Sequence, residues 1–224
     1  MGGSFRAGGE DICGGPGYLG GSFSAGKSLF INSLLKSYTL PIGITPTTSI
    51  PTYIINSQDV IVKAYNQYRH LSTIDENAFA VLTHEFSEKH DIKLGHIIKA
   101  MLFGTPTFPY KNIALLDTPG YTNDTIDKNI ARKQLQKADR IIWLINAEKG
   151  IIPLDDIRFL KSLNHKQPIL FILTKSDTQL PEQISDIKRL IQRTLKKHRI
   201  PIFDVITYSS LDVMEGLKTS LTLE

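Results

Sequence analysis

The chain has 224 residues, 41% hydrophobic and 21% charged, which suits one globular domain with a sizeable core. A net charge of +4 is too weak to call for nucleic acid by itself, and a single cysteine, Cys13, excludes an internal disulfide and fits a reducing compartment. No apolar run reaches the roughly 18 residues of a spanning helix, and no charged segment followed by an apolar core marks a secretory signal at the start.

Nine of the 16 glycines fall within the first 21 residues, so residues 1–19 are expected to be flexible. Met1-Gly2-Gly3-Ser4 resembles a cloning remnant, and residues 221–224 resemble the junction to a removed tag. Arg6 stands where a myristoylated chain carries Ser or Thr, which argues against that lipid. Asp11 to Leu19 holds Pro16 and three glycines, so it reads as a poor central strand.

The next stretch organises the chain. Gly21-Ser22-Phe23-Ser24-Ala25-Gly26-Lys27-Ser28 fits G-x-x-x-x-G-K-[ST] at every fixed position and leads into the apolar run Leu29 to Leu35. The two glycines let the backbone turn so tightly that successive N–H groups converge on one point, a cradle for phosphate oxygens. Lys27 adds a positive charge for the β and γ phosphates, and the Ser28 hydroxyl is a ligand for Mg²⁺. A helix starting near Lys27 aims its positive dipole end at the same anion.

Beyond it, Ser28 to Lys36 reads as a helix and Tyr38 to Pro46 as a loop. Pro51 to Ile55 and Val60 to Tyr65 are β-branched runs joined by Asn56-Ser57-Gln58-Asp59, which predicts a hairpin. Helices are expected over Asn77 to Lys89 and Leu94 to Leu102, and a strand from Lys111 to Asp117. A helix through Asp127 to Ala138 precedes a strand over Ile141 to Ile145. A helix over Leu154 to Leu163, a strand over Pro168 to Leu173, a helix over Ile184 to Lys197 and a strand over Pro201 to Thr207 complete the chain. Alternating strands and helices predict an α/β fold with a mostly parallel sheet covered on both faces, in one domain without a linker.

Two further motifs follow the phosphate loop in order. Asp117-Thr118-Pro119-Gly120 ends an apolar strand, where Asp117 can hold a water on Mg²⁺ and the Gly120 amide can reach the γ-phosphate. Thr174-Lys175-Ser176-Asp177 fits [NT]-K-x-D. The Asp177 carboxylate can accept hydrogen bonds from N1 and N2 of guanine, which adenine lacks, while the Lys175 stem lies along the base. Ser209-Ser210 is a weaker match to a guanine-supporting turn. Any one tetrapeptide would be an ordinary turn; their order after a phosphate loop indicates a nucleotide-binding protein of GTPase type. Between them, Leu40 to Thr52 is a Pro/Thr-rich loop able to close over a γ-phosphate.

The phosphate loop, Phe30-Ile31-Asn32-Ser33-Leu34-Leu35, the Leu40-Pro41 to Pro51-Thr52 stretch and Asp117 to Tyr121 together resemble the GTPase domain of the dynamin superfamily, in its bacterial dynamin-like and mitofusin flavour. The resemblance covers about residues 19–212. It implies a P-loop NTPase of the Ras-like, doubly wound class over residues 20–220, with GTP or GDP and Mg²⁺ bound. By it, Thr48 is the switch threonine that ligates Mg²⁺ and positions water, and Ser24 contacts the β–γ bridging oxygen and helps hold K⁺ or Na⁺. The implied catalytic set is therefore Ser24, Lys27 and Thr48, with Ser28, Thr48 and Asp117 around the metal.

The resemblance further implies a GTPase-domain homodimer or a related GTPase partner, membrane contact through parts outside this chain, and a cytoplasmic site that is peripheral at a membrane in the whole protein. Three positions depart from the family pattern: Phe23 stands where dynamin has glutamine, Thr174 replaces asparagine, and Tyr121 stands where Ras-like proteins carry the water-orienting glutamine. The last of these motivates an alternative, a nucleotide-gated interaction module with little turnover. A translation or tRNA-modification GTPase is a third reading, disfavoured because no RNA-binding appendage is recognisable. The six histidines form no zinc pattern, and the basic stretch Lys188 to Arg199 reads as the solvated face of a core-facing helix.

Overall fold

The computed structural model of the protein describes residues 5–7, 10–12, 17–22, 24–40, 50–66, 71–74, 98–111, 113–117, 129, 131–133, 135, 136 and 138–216. Two short strands, β1 (Phe5–Ala7) and β2 (Glu10–Ile12), pair antiparallel by themselves. The main sheet has nine strands: β3 (Gly17–Gly21), β4 (Thr52–Asn56), β5 (Ile61–Asn66), β6 (Leu71–Thr73), β7 (Ile98–Thr105), β8 (Leu115–Asp117), β9 (Arg140–Asn146), β10 (Ile169–Thr174) and β11 (Ile202–Thr207), in the order β11-β10-β9-β3-β8-β4-β7-β5-β6. The ladder from β11 to β8 is parallel, β4 runs antiparallel to β8 and parallel to β7, and β5 and β6 close one edge antiparallel.

Each face of the sheet carries its own core, as the alternation of elements predicts. Helix α1 (Lys27–Leu35) packs Phe30, Ile31 and Leu35 with Leu19, Leu144 and Ile172 on one side. Helices α2 (Leu154–Leu163) and α3 (Pro181–Lys197) bring Ile157, Leu160, Leu163, Ile191 and Leu195 to Trp143, Phe171 and Val205 on the other. The basic helix is α3: two apolar residues, Ile191 and Leu195, are buried and its charges face out. Residues 129, 131–133 and 135 are helical, within the span expected for that helix.

Two expectations fail, for one reason. Pro51–Ile55 and Val60–Tyr65 are strands but not a hairpin, because β7 inserts between β4 and β5. Residues 98–102, expected to be helical, are the first part of that inserted strand. Met101, Leu102, Phe103 and Thr105 are all buried, and a run buried on both sides has no period by which helix and strand can be told apart. Gly104 makes the insertion possible: a Cβ there would lie 2.5 Å from Cγ1 of Ile61 and 2.8 Å from Oγ of Ser57. The helix expected over 77–89 lies outside the described residues.

The glycine-rich first strand also acquires a physical reason. β3 is a five-residue, fully buried central strand between β8 and β9. Gly20 is in register with Trp143, whose ring lies where a side chain would go: a Cβ on Gly20 would be 2.6 Å from the indole six-membered ring. The indole is fully buried and donates Nε1–H to the buried Asp156 carboxylate at 3.1 Å in the first turn of α2. It therefore has little freedom to move aside. Gly20→Val is expected to lower stability by about 1–3 kcal/mol through overpacking, which is roughly 2–12 °C in Tm for a domain this size. A melting curve coincident with the parent's would refute that fit.

Candidate functional site

The phosphate loop runs from the end of β3 into α1, and its shape follows from three backbone choices. Gly21 has φ 147° and approaches β9 so closely that a Cβ would sit 2.8 Å from the Leu144 carbonyl oxygen. Ser24 takes a left-handed φ of 62°, exposed at the tip, a conformation costing a non-glycine residue of order 1–3 kcal/mol. Gly26, with φ 81°, is the N-cap of α1 and offers no side chain to the first helical turn. The amides there are thus left to an external acceptor at the positive end of the helix. The Ala25 N–H donates to Ser22 O at 3.1 Å and closes the turn.

Lys27 opens α1 and folds back into this loop. Its Nζ donates to the carbonyls of Gly21 (3.1 Å) and Ser22 (3.2 Å), and the residue is buried. Burial pulls its pKa below the usual lysine value, while the charges of Asp117 and Asp156 pull the other way. Asp117, 1% exposed, ends β8 in register with Leu19 of β3, so the topology carries it beside the phosphate loop. Ser28 follows Lys27 in the first turn, half-buried. A cationic side chain, a serine hydroxyl, a buried carboxylate and a helix N-terminus without a side-chain cap form the donor set that a nucleotide phosphate with Mg²⁺ requires. Among the described residues no cluster of His, Cys, Asp and Glu suggests another metal centre.

The second half of the site is built at the end of β10. Thr174, buried and in register with Asn146, donates its hydroxyl to the Ala25 carbonyl at 2.8 Å, with the Ile145 carbonyl 3.2 Å away. The departure from asparagine is therefore not a loss: the hydroxyl ties this loop directly to the phosphate loop. Lys175, at a left-handed φ of 55°, turns the chain into a short 3₁₀ helix over Ser176–Thr178, which leaves Asp177 exposed. The Tyr208 N–H donates to Leu173 O at 2.8 Å and brings the Ser209-Ser210 turn alongside. Both serines are buried, and Ser209 Oγ accepts from the Asp212 N–H at 3.0 Å as the N-cap of α4 (Ser210–Met214). Its hydroxyl oxygen thus caps a helix.

Phe23, Thr48, Gly120 and Tyr121 lie outside the described residues. The described start of the loop that carries Thr48 is anchored by Asn32, which lies in the run that carries the family resemblance but has no role assigned by it. Its buried amide donates to Leu40 O at 2.8 Å and accepts from the N–H groups of Leu40 (2.7 Å) and Thr39 (3.1 Å). Asn146 and Glu148 belong to none of the sequence motifs. Asn146 Nδ2 donates to Glu148 Oε2 at 2.9 Å, and that oxygen pairs with Lys175 Nζ at 2.7 Å. The available signal was a polar Asn-Ala-Glu directly after an apolar strand, at the sheet end where α/β proteins bind ligands. An apolar cavity of about 500 Å³, lined by Phe30, Leu34, Phe108, Leu170 and Phe203, lies toward the opposite ends of the strands and takes no part in this site.

Comparison with known proteins agrees with this geometry. Residues 19–176 match the sequence profile described as "Dynamin family". An uncharacterized protein in the xynA 3' region of Caldicellulosiruptor is 26% identical over 201 residues, covering 86% of this chain and 48% of that protein. A probable transmembrane GTPase FZO-like, chloroplastic, of Arabidopsis thaliana is 25% identical over 200 residues, 86% of this chain and 19% of that protein. Dynamin-like protein 2 of Campylobacter jejuni is 29% identical over 126 residues, 55% and 19% respectively. The chain thus spans about half, or less, of the curated relatives it matches. Among solved structures, an oligomerised bacterial dynamin pair described as sensing and tethering membranes superposes with a TM-score of 0.64 at 16% identity, over 87% of this chain and 30% of that one. Aquifex aeolicus Era bound to GDP·AlF₄⁻ superposes at 0.52 with 18% identity, over 95% and 60%. Both establish the fold.

Proposed function

Because this chain belongs to the dynamin family, we propose that it binds GTP and hydrolyses it to GDP and phosphate, with turnover stimulated when two such domains meet across the nucleotide. The observation that carries this is the 2.8 Å hydrogen bond from Thr174 Oγ1 to Ala25 O, which ties a guanine-type loop directly to a phosphate loop. In this reading Lys27 leaves the Gly21 and Ser22 carbonyls for the β and γ phosphates, and the amides from Gly21 to Ser28 share the anion. Ser22, Phe23, Ser24, Ala25 and Gly26 bind through the loop backbone. Lys175 and Asp177 hold the base, supported by Ser209 and Ser210.

When bound, Mg²⁺ neutralises charge that builds on the phosphate oxygens. Ser28 and Asp117 are the described residues that would hold it, with Thr48 from the switch loop. Thr48 also orients the attacking water and Gly120 meets the γ-phosphate. The water oxygen bonds to the γ-phosphorus as the bond to the β–γ bridging oxygen breaks, with Ser24 beside that oxygen. K⁺ or Na⁺ near Ser24 is the monovalent candidate. In the whole protein we assign a cytoplasmic, membrane-remodelling role, with membrane contact through other segments. Within the described residues no helix is long and apolar enough to cross a membrane.

The test is GTP turnover by this chain over a wide range of protein concentration, in K⁺ and in Na⁺. Specific activity rising with concentration is expected. Flat, near-zero turnover with GTP still bound would replace this reading with a gated interaction module, the alternative that Tyr121 raises.

A further inference from the structure

Lys175 and Asp177 stand two residues apart in one tight turn, with opposite charges. A free lysine there could swing onto the carboxylate and compete with any base that the carboxylate must recognise. The structure avoids this. Lys175 Nζ sits 2.7 Å from Glu148 Oε2, while the Asp177 side chain makes no hydrogen bond or ion pair among the described residues. The Glu148 carboxylate is itself held: Oε2 also accepts from Asn146 Nδ2 at 2.9 Å, and the Glu148 N–H donates to Asn146 Oδ1 at 2.9 Å. Asn146 ends β9 directly opposite Thr174, so the clamp hangs from the rigid part of the sheet. The short 3₁₀ helix Ala147–Lys149 carries Glu148 against the one bearing Asp177.

We propose that Glu148, braced by Asn146, is a specificity-determining positioning residue that pins the Lys175 side chain as a flat platform for a purine and keeps the Asp177 carboxylate available to guanine. The inference rests on the guanine-binding reading above and deepens it. Two physical effects make up its contribution. Fixing four rotatable bonds before the base arrives removes side-chain entropy that binding would otherwise have to overcome. Holding the ammonium on Glu148 removes an intramolecular competitor for Asp177. The charges of Lys175 and Glu148 are about a third and two-fifths exposed, 36% and 43%, so the bare ion pair adds little to folding, and its effect belongs in ligand selectivity.

The test measures Kd for fluorescent GDP and ADP by titration, without turnover, on the parent, Glu148→Ala and Glu148→Gln, with melting curves for each. Glu148→Ala is expected to lower the GDP-over-ADP preference by about 3–10-fold with Tm unchanged. Glu148→Gln, which keeps an acceptor oxygen for Lys175 and Asn146, is expected to retain most of the preference. On a Lys175→Ala background, Glu148→Ala should have no further effect on the preference. An unchanged preference in Glu148→Ala, or an equal loss for both nucleotides, overturns the proposal. A parent chain that does not prefer GDP would instead overturn the guanine-binding reading beneath it.

Discussion

Lys27→Met is expected to weaken GTP binding by about 100-fold or more while leaving the fold intact. The ammonium is buried and already directed into the phosphate loop, where charge-assisted hydrogen bonds contribute about 1.5–3 kcal/mol each. Two phosphate groups engaged by one lysine therefore account for about 3 kcal/mol or more. Methionine fills a similar volume without a desolvated charge, so Tm is expected to stay level or rise slightly. Calorimetric titration beside a melt reads both quantities, and near-parental affinity would remove Lys27 from the site. The same burial gives a pH dependence. Lys27 in the free protein has a lowered pKa, and bound phosphate raises it again. Affinity is then full below the free-state pKa and falls as pH rises through it. Lys27→Met should abolish that alkaline decline.

Asp177→Asn is expected to cost guanine nucleotides about 10²–10⁴ in affinity and to favour xanthine. A carboxylate accepts from both the N1–H and the N2 amine of guanine, each bond to the charged group contributing about 1.5–3 kcal/mol. Asparagine keeps one acceptor and substitutes a donor that faces the guanine amine. Xanthine carries an oxygen in place of that amine, so the asparagine donor finds an acceptor. Because Asp177 is exposed in a 3₁₀ turn, the change should leave Tm within a degree or two. Competition of GDP and XDP against a fluorescent nucleotide decides the matter: a variant still preferring GDP would place guanine recognition elsewhere.

What the residues alone determined is local chemistry. The phosphate loop, Asp117 at a strand end and the Thr174 to Asp177 turn are legible because each needs fixed residue types at fixed spacing, and the alternation of elements then leads to a mostly parallel sheet with helices on both faces. The helices expected over 154–163 and 184–197 are legible from their apolar period, although the second begins three residues earlier, at Pro181. Tertiary structure decided what spacing cannot carry. That β7 enters between β4 and β5 depends on Gly104 yielding to Ile61, a contact between residues distant in sequence. The poor-looking strand at Gly17 is a good one only because Trp143 supplies the side chain that Gly20 lacks. Thr174 replaces asparagine in the motif, and only the fold brings its hydroxyl to Ala25; Glu148 belongs to no motif, and the pairing of β9 with β10 sets it against Lys175. Motifs record what a ligand demands of neighbouring residues; the partners that hold those residues in place come from other strands, and only packing chooses them.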